Sequence, residues 1–113
     1  MADGKTVSGI SVQELAALGS AARVIDVREV HEWNDAHIEY AELIPLGTVP
    51  DRVAEFDGNP TYVICRSGGR SARACEFLAA QGREVVNVTG GMLAWVDAGL
   101  ATVSGGASEP TGA

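Results

Sequence analysis

The stretch TYVICRSGGRS, residues 61–71, decides the fold of this chain. Its first four residues, Thr61–Ile64, are rich in β-branched side chains and run without a break into Cys65, which is typical of a central strand buried on both faces. Two glycines follow the strand, and from Ser71 to Gln81 apolar residues recur at helical spacing until Gly82 ends the pattern. A strand, a short loop and a helix in this order indicate an α/β protein with a mainly parallel sheet.

The rest of the chain continues this alternation of strand-like and helix-like segments. Ser11, followed three residues later by Glu14, forms a capping-box pattern that predicts the start of a short helix closing at Gly19. We predict five strands, at residues 7–10, 23–27, 42–44, 61–64 and 85–88. We predict helical segments at residues 11–19, 50–56 and 71–81, and a last one from Gly90-Gly91 to near Gly99. Residues 29–35 are expected to form a brief surface helix or a turn.

A single domain is expected from the length of 113 residues, and the 46% hydrophobic content is enough for a core without metals or disulfides. We assign residues 1–6 to a flexible N-terminus and residues 7–101 to the folded domain. Residues 102–113 are predicted to be a disordered tail, because the stretch from Ser104 onward contains too few apolar residues to offset the entropy of ordering.

The charge pattern narrows the choice of partners. The formal net charge is −7, from 15 acidic and 8 basic residues, which argues against nucleic acid as the partner. Residues 58–75 contain no acidic residue, yet Arg66, Arg70 and Arg73 lie there. The sequence lacks both the ~20-residue apolar stretch of a membrane span and an apolar N-terminal signal, so we expect a cytoplasmic protein with two free cysteines.

Cys65 lies where ligands bind in parallel sheets, at the carboxyl end of a strand just before a helix. Gly68 and Gly69 allow a tight bend, so the N–H groups of residues 67–71 could converge on one anion. Such donors, with the positive end of the following helix, favour the thiolate form of the cysteine. The sequence therefore predicts a cysteine nucleophile.

The same loop could stabilise a persulfide anion as well as a thiolate. In that chemistry the thiolate takes a sulfur atom from a donor such as thiosulfate, and a small acceptor, cyanide or a thiol, later removes it. This reaction requires no metal and no organic cofactor, and the sequence shows no His/Cys cluster with zinc spacing.

An ordered set of motifs resembles the rhodanese family over nearly the whole segment from Val7 to Leu100. The motifs are Asp26-Val27-Arg28-Glu29 with His31-Glu32-Trp33, Ala36-His37-Ile38 with Ala41 and Ile44-Pro45-Leu46, Cys65-Arg66-Ser67-Gly68-Gly69-Arg70-Ser71, and Gly90-Gly91 with Trp95. The resemblance implies a five-stranded sheet with helices on both faces.

The resemblance also implies sulfur transfer through a persulfide on Cys65. Substrate would then contact the loop residues Arg66, Ser67, Gly68, Gly69, Arg70 and Ser71. The implied partners are a small anionic sulfur donor and a small thiol or cyanide, with a thioredoxin-like or sulfur-carrier protein as a further candidate acceptor. Two-domain thiosulfate enzymes carry lysine at the position of Ser67, so the natural donor stays open.

Several side chains near the loop allow two interpretations. For Arg70, contact with a bound anion and a structural link that closes the loop are compatible. Arg66 is expected at the pocket rim, where it would steer an anionic donor. Asp26 and Arg28 are interpreted as supporting residues, an ion pair that braces the loops rather than a catalytic pair.

Cys75, ten residues beyond Cys65, could be a resolving cysteine, but core packing is the favoured interpretation. A thiolate that its loop already ionises needs no general base, so for His37 a structural hydrogen bond is favoured. Trp33 and Trp95 are expected to be packing residues.

Two other functions compete with sulfur transfer. A rhodanese-fold phosphatase or arsenate reductase would also use a cysteine loop, but such enzymes place five residues between cysteine and arginine, whereas Cys65 and Arg70 are separated by four. A non-catalytic module for binding or redox sensing is the second alternative. Inactive modules typically lack the cysteine, which is present here.

Overall fold

Five strands form one parallel sheet in the computed structural model, which describes residues 7–108. Their order across the sheet is β1-β5-β4-β2-β3. β4 therefore lies at the centre, and both this placement and the predicted α/β class are confirmed. The strands are β1 (Gly9–Ile10), β2 (Arg23–Asp26), β3 (Glu42–Leu43), β4 (Thr61–Ile64) and β5 (Val85–Val88).

Helices cover both faces of this sheet. They are α1 (Val12–Leu18), α2 (Val30–Asp35), α3 (Gly69–Ala80) and α4 (Gly91–Asp97). Neighbouring residues of a strand point to opposite faces, so Val63 joins the core beneath α3 while Ile64 joins the core beneath α1 and α4. Both side chains are fully buried, as expected for a central strand.

Local sequence determines where α1 begins and ends. The Ser11 hydroxyl accepts a hydrogen bond from the Glu14 amide, and the Glu14 carboxylate accepts one from the Ser11 amide, which confirms the predicted capping box. Gly19 ends the helix with φ +63°, a conformation that favours glycine.

The prediction of an α-helix over residues 50–56 is wrong. Two short 3₁₀ segments, Leu46–Asp51 and Val53–Glu55, occupy this region instead. Arg52, with φ −130° and ψ 27°, leaves the helical conformation and separates them. This break at Arg52 ends the run of helical backbone, so no continuous α-helix extends from Pro50 to Phe56.

The tail prediction also differs from the structure over residues 102–108. Val103 and His37 exchange two backbone hydrogen bonds, and the Asn34 side chain binds both the amide and the carbonyl of Ala107. Contacts with Asn34 of α2 and with His37 thus supply the order that the composition of this segment could not predict. The expected flexible N-terminus (1–6) and residues 109–113 of the tail lie outside the described residues.

Within residues 7–108, no helix is both long and apolar enough to cross a membrane.

Candidate active site

Cys65 directly follows the central strand, and α3 begins only four residues later. The sequence pattern placed the helix start at Ser71, but the helix already starts at Gly69. Gly68 has φ +106° and is the N-cap residue of α3. Gly69 has no positive φ, and a Cβ added there would meet no atom within 4 Å. The tight bend attributed to both glycines therefore depends on Gly68.

Two groups of this loop lie within hydrogen-bond distance of the Cys65 sulfur and can donate to it. The Gly68 amide lies 3.1 Å from Sγ, and the Ser71 hydroxyl lies 3.3 Å from it. Cys65 is only 1% exposed, and Ser71 is fully buried. The sulfur is thus shielded from water, and hydrogen-bond donors of the protein surround it instead.

These donors determine the acidity of the thiol. Burial by itself raises the pKa of Cys65. Hydrogen bonds act in the opposite direction, first from the hydroxyl and amide of Ser71, then from the amides of Gly68 and Ser67. The donors outweigh burial, so the pKa of Cys65 lies below that of an ordinary thiol, and the thiolate is favoured.

The start of α4 holds the loop from its other side. The amides of Met92 and Leu93 donate to the carbonyls of Cys65 and Arg66, at 2.8 and 2.9 Å. This approach requires glycine at position 91, because a Cβ there would overlap both carbonyl groups and the residue has φ +59°. The Gly90-Gly91 motif therefore serves the cysteine loop, although it lies more than twenty residues further along the chain.

Arg70 forms a structural link in this structure. Its two terminal nitrogens donate to the two carboxylate oxygens of Glu32 on α2, both at 2.8 Å. The ion pair with Arg70 holds the pKa of the Glu32 carboxyl at about 2. Sequence reasoning missed Glu32 as a site residue, and its place in the early motif was the only signal for it.

A second ion pair braces the loop after β2, in agreement with its interpretation from sequence. Asp26 is fully buried and binds Arg28 through both of its carboxylate oxygens. Arg28 also donates to the carbonyl of Ala36, at 2.7 Å. Arg28 therefore links Asp26, the last residue of β2, to Ala36, the residue that caps the end of α2.

Arg66 is exposed, as expected for a residue at a pocket rim. It lines a cleft of about 350 Å³ between the loop, α2 and α4, together with Arg28 and Glu32. Leu93 and Val96 contribute an exposed apolar wall, with 49% and 55% of their surface accessible. Cys65 itself does not line this cleft. Ser67 and Gly69 are exposed beside Arg66.

Asn87 is a second residue that sequence reasoning missed. It lies in β5, and its side chain contacts both the Ser71 hydroxyl and the Gly68 carbonyl. The available signal was a polar residue between the valines of a short strand.

Cys75 lies in the core beneath α3 and is fully buried. Burial raises the pKa of this thiol to about 12, which agrees with a packing role.

His37 stacks on Trp33, with ring centroids 3.7 Å apart, and its Nδ1 lies 2.8 Å from the Trp33 carbonyl. Trp95 is buried and donates to the Ala101 carbonyl. In the described part of the chain, no cluster of three or more His, Cys, Asp or Glu could hold a metal ion.

Comparison with known proteins agrees with this fold and loop. Residues 11–98 match the model of the rhodanese-like domain. A putative sulfurtransferase of Bacillus subtilis, YtwF, is 39% identical over 92 residues, covering 80% of this chain and 89% of that protein. A sulfurtransferase of Allochromatium vinosum is 37% identical over 83 residues, covering 72% and 78%.

A solved structure gives the same result. The rhodanese-like domain protein of Staphylococcus aureus superposes with a TM-score of 0.77 at 38% identity, covering 87% of this chain and all of that one. The chain belongs to the rhodanese-like domain family, whose members similar to it include sulfurtransferases.

Proposed function

We propose that this protein is a sulfurtransferase that carries sulfur as a persulfide on Cys65. The observation that supports this most directly is the buried sulfur with two donors, the Gly68 amide and the Ser71 hydroxyl, which favour the thiolate. A cysteine whose thiolate is stabilised by its own loop depends less on a neighbouring general base.

In the first half-reaction, the thiolate attacks the outer, sulfane sulfur of thiosulfate. A bond forms between Sγ and that sulfur, and the sulfur–sulfur bond of thiosulfate breaks. Sulfite leaves with the bonding electron pair, so no external oxidant or reductant is needed. The product on the protein is a persulfide anion, and the donors that hold the thiolate are placed to stabilise this second anion.

In the second half-reaction, a nucleophilic acceptor attacks the outer sulfur of the persulfide. Cyanide would leave as thiocyanate, and a thiol would leave as a persulfide of its own. In either case the electron pair of the broken bond returns to Cys65 as the thiolate. The two half-reactions share no ternary complex and predict ping-pong kinetics.

The acceptor in the cell is proposed to be a thiol, either on a small molecule or on a sulfur-carrier or thioredoxin-like protein. The exposed Leu93 and Val96 give the cleft an apolar wall, and charged residues of both signs, among them Arg66 and Asp97, also line it. We propose that such an acceptor docks against this wall. A reducing compartment would keep Cys65 as a free thiol, so the proposal includes a cytoplasmic location.

The geometry disfavours a phosphatase or arsenate reductase. In such an enzyme the arginine of the loop must be free to clamp a tetrahedral oxyanion. Here both terminal nitrogens of Arg70 are bound to Glu32. The four residues between Cys65 and Arg70 also make a smaller ring than the five of the rhodanese-like phosphatases.

Mass spectrometry of the intact protein tests the proposal. Incubation with thiosulfate should add one sulfur atom to the protein at Cys65, and later addition of cyanide should remove it and form thiocyanate. Cys65→Ser should abolish both signals, because a hydroxyl cannot form a persulfide. Cys75→Ala is the matched control and should keep both signals.

Two results would contradict the proposal. One is a protein that gains no sulfur from thiosulfate or from an organic persulfide, which would point to a non-catalytic module. The other is a Cys65→Ser variant that still forms thiocyanate. Hydrolysis of an aryl phosphate at rates comparable to sulfur transfer would favour the phosphatase instead.

A further inference from the structure

Asn87 places a polar side chain where the sheet meets the cysteine loop. It is half-buried, stands between two valines of β5 and pairs in register with Val63, two residues before Cys65. In a parallel sheet this register brings the Asn87 side chain to the same edge as the loop.

The orientation of the Asn87 amide is fixed by what it contacts. Its nitrogen lies 3.3 Å from the Gly68 carbonyl, which can only accept a hydrogen bond. If the amide were reversed, two acceptor oxygens would face each other. Oδ1 therefore points to the other neighbour, the Ser71 hydroxyl, at 2.5 Å.

This orientation creates a competition for one proton. Oδ1 has no hydrogen to give, so the contact between Ser71 and Asn87 uses the hydroxyl proton of Ser71. The Cys65 sulfur and the Gly68 carbonyl, each 3.3 Å from the same hydroxyl, are rival acceptors, and Oδ1 is the nearest of the three. While Asn87 holds the proton, Ser71 turns a lone pair toward Cys65, which suits a protonated thiol. Once the thiol ionises, the proton is drawn to the sulfur and Oδ1 loses its donor.

We propose that Asn87 is a positioning residue that draws the Ser71 proton away from Cys65 until the thiol ionises. Ionisation of Cys65 then requires the loss of the hydrogen bond between Ser71 and Asn87, so the thiolate is more basic than the loop donors alone would make it. A more basic thiolate is intrinsically a stronger nucleophile toward sulfur. The inference rests on Cys65 as the nucleophile of the proposed function.

The test measures the ionisation of Cys65 without sulfur transfer. The rate of iodoacetamide alkylation at Cys65 is followed against pH by peptide mass spectrometry in four proteins: the unaltered chain, Asn87→Ala, Ser71→Ala and the double variant. Cys75 does not interfere, because it is fully buried and burial raises its pKa to about 12.

Asn87→Ala should move the midpoint of the profile to lower pH. At the acidic end, loss of a competing bond of about 1 kcal/mol should raise the thiolate fraction about five-fold, and the alkylation rate should rise roughly two- to three-fold because the weaker base is less nucleophilic. In the Ser71→Ala background the same substitution should produce no shift to lower pH, since Ser71 transmits the effect.

Two controls keep the result interpretable. Asn34→Ala removes another half-buried amide, whose bonds go to Ala107, and should leave the Cys65 profile unchanged. Asn87→Val, which suits a strand, replaces Asn87→Ala if that variant does not fold.

The inference is overturned if the midpoint stays in place or rises in Asn87→Ala, or if it falls equally with and without Ser71. A failure of the proposed function is distinguishable from these results, because it appears as missing persulfide and thiocyanate while the alkylation profiles are as expected.

Discussion

The two cysteines of this chain are almost equally buried, but their thiol groups differ in pKa. Cys65 is 1% exposed and Cys75 is fully buried, and both belong to the core beneath α3. The pKa of Cys65 lies below that of an ordinary thiol, whereas burial raises the pKa of Cys75 to about 12. Burial is common to both, so the donors of the loop, the Gly68 amide and the Ser71 hydroxyl, make the difference.

The two cysteines also occupy different positions relative to α3. Cys65 precedes the first turn of α3, where backbone amides have no partner inside the helix, while Cys75 lies in the interior of the same helix, where each amide is already bound. No free backbone amide is therefore available to donate a hydrogen bond to the Cys75 sulfur.

The largest effect is expected in the reactivity of the two thiols. At pH 7 and in the folded protein, iodoacetamide should modify Cys65 at least about a hundred-fold faster than Cys75, because the thiolate fraction of Cys65 is far larger than that of Cys75, whose pKa is about 12. Peptide mass spectrometry of a time course measures both rates. In denaturant the ratio should approach one, and a ratio that stays large there would show that the folded loop is not its cause.

The second-largest effect is expected at Gly91, where the start of α4 contacts the cysteine loop. Gly91→Ala would push a Cβ into the carbonyls of Cys65 and Arg66 at a positive φ, so the free energy of unfolding should fall by about 2–4 kcal/mol, as measured by urea denaturation. Alkylation of any folded protein at Cys65 should slow toward the rate of an ordinary buried thiol.

Gly69→Ala is the matched control in the same loop. Its Cβ enters open space at the first residue of α3, so stability should change by less than about 0.5 kcal/mol. Equal losses in Gly91→Ala and Gly69→Ala would contradict the assignment of Gly91 as the close-packed position.

The smallest effect should come from Glu32. The pair with Arg70 depresses the pKa of Glu32 from 4.5 to about 2 in the folded protein. The carboxylate is therefore charged and paired above pH 4.5, where it stabilises the fold. This stabilisation is lost as the pH falls from about 4.5 to about 2. Glu32→Gln should lower the free energy of unfolding by about 1–2 kcal/mol at pH 7 and by nearly nothing near pH 2.

Glu55→Gln provides the control for Glu32. Glu55 pairs with Arg52 at the surface, with 41% of its side chain exposed, so solvent screens the pair and its loss should leave the free energy of unfolding nearly unchanged at either pH. Urea denaturation at both pH values measures the two variants side by side. A pH-independent loss in Glu32→Gln would mean that the ion pair contributes no net stability.

Much of the fold could be predicted from short-range patterns. The capping box at Ser11 and the apolar run Thr61–Ile64 each depend on neighbours in sequence, and both are confirmed. The prediction of an α-helix over residues 50–56 was wrong because Pro50 is compatible with both a helix start and a 3₁₀ turn. The order in residues 102–108 was missed because it depends on Asn34 and His37, more than sixty residues away.

The sequence by itself determined that this is an α/β protein with a cysteine at the end of its central strand and a glycine to turn the loop. Those features follow from alternation, spacing and backbone freedom over a few residues. Only the tertiary structure decided what surrounds the loop: Glu32 reaches Arg70 across 38 positions of the chain, and Asn87 reaches Ser71 across 16. Such pairings depend on how helices and strands pack, and no local pattern specifies them.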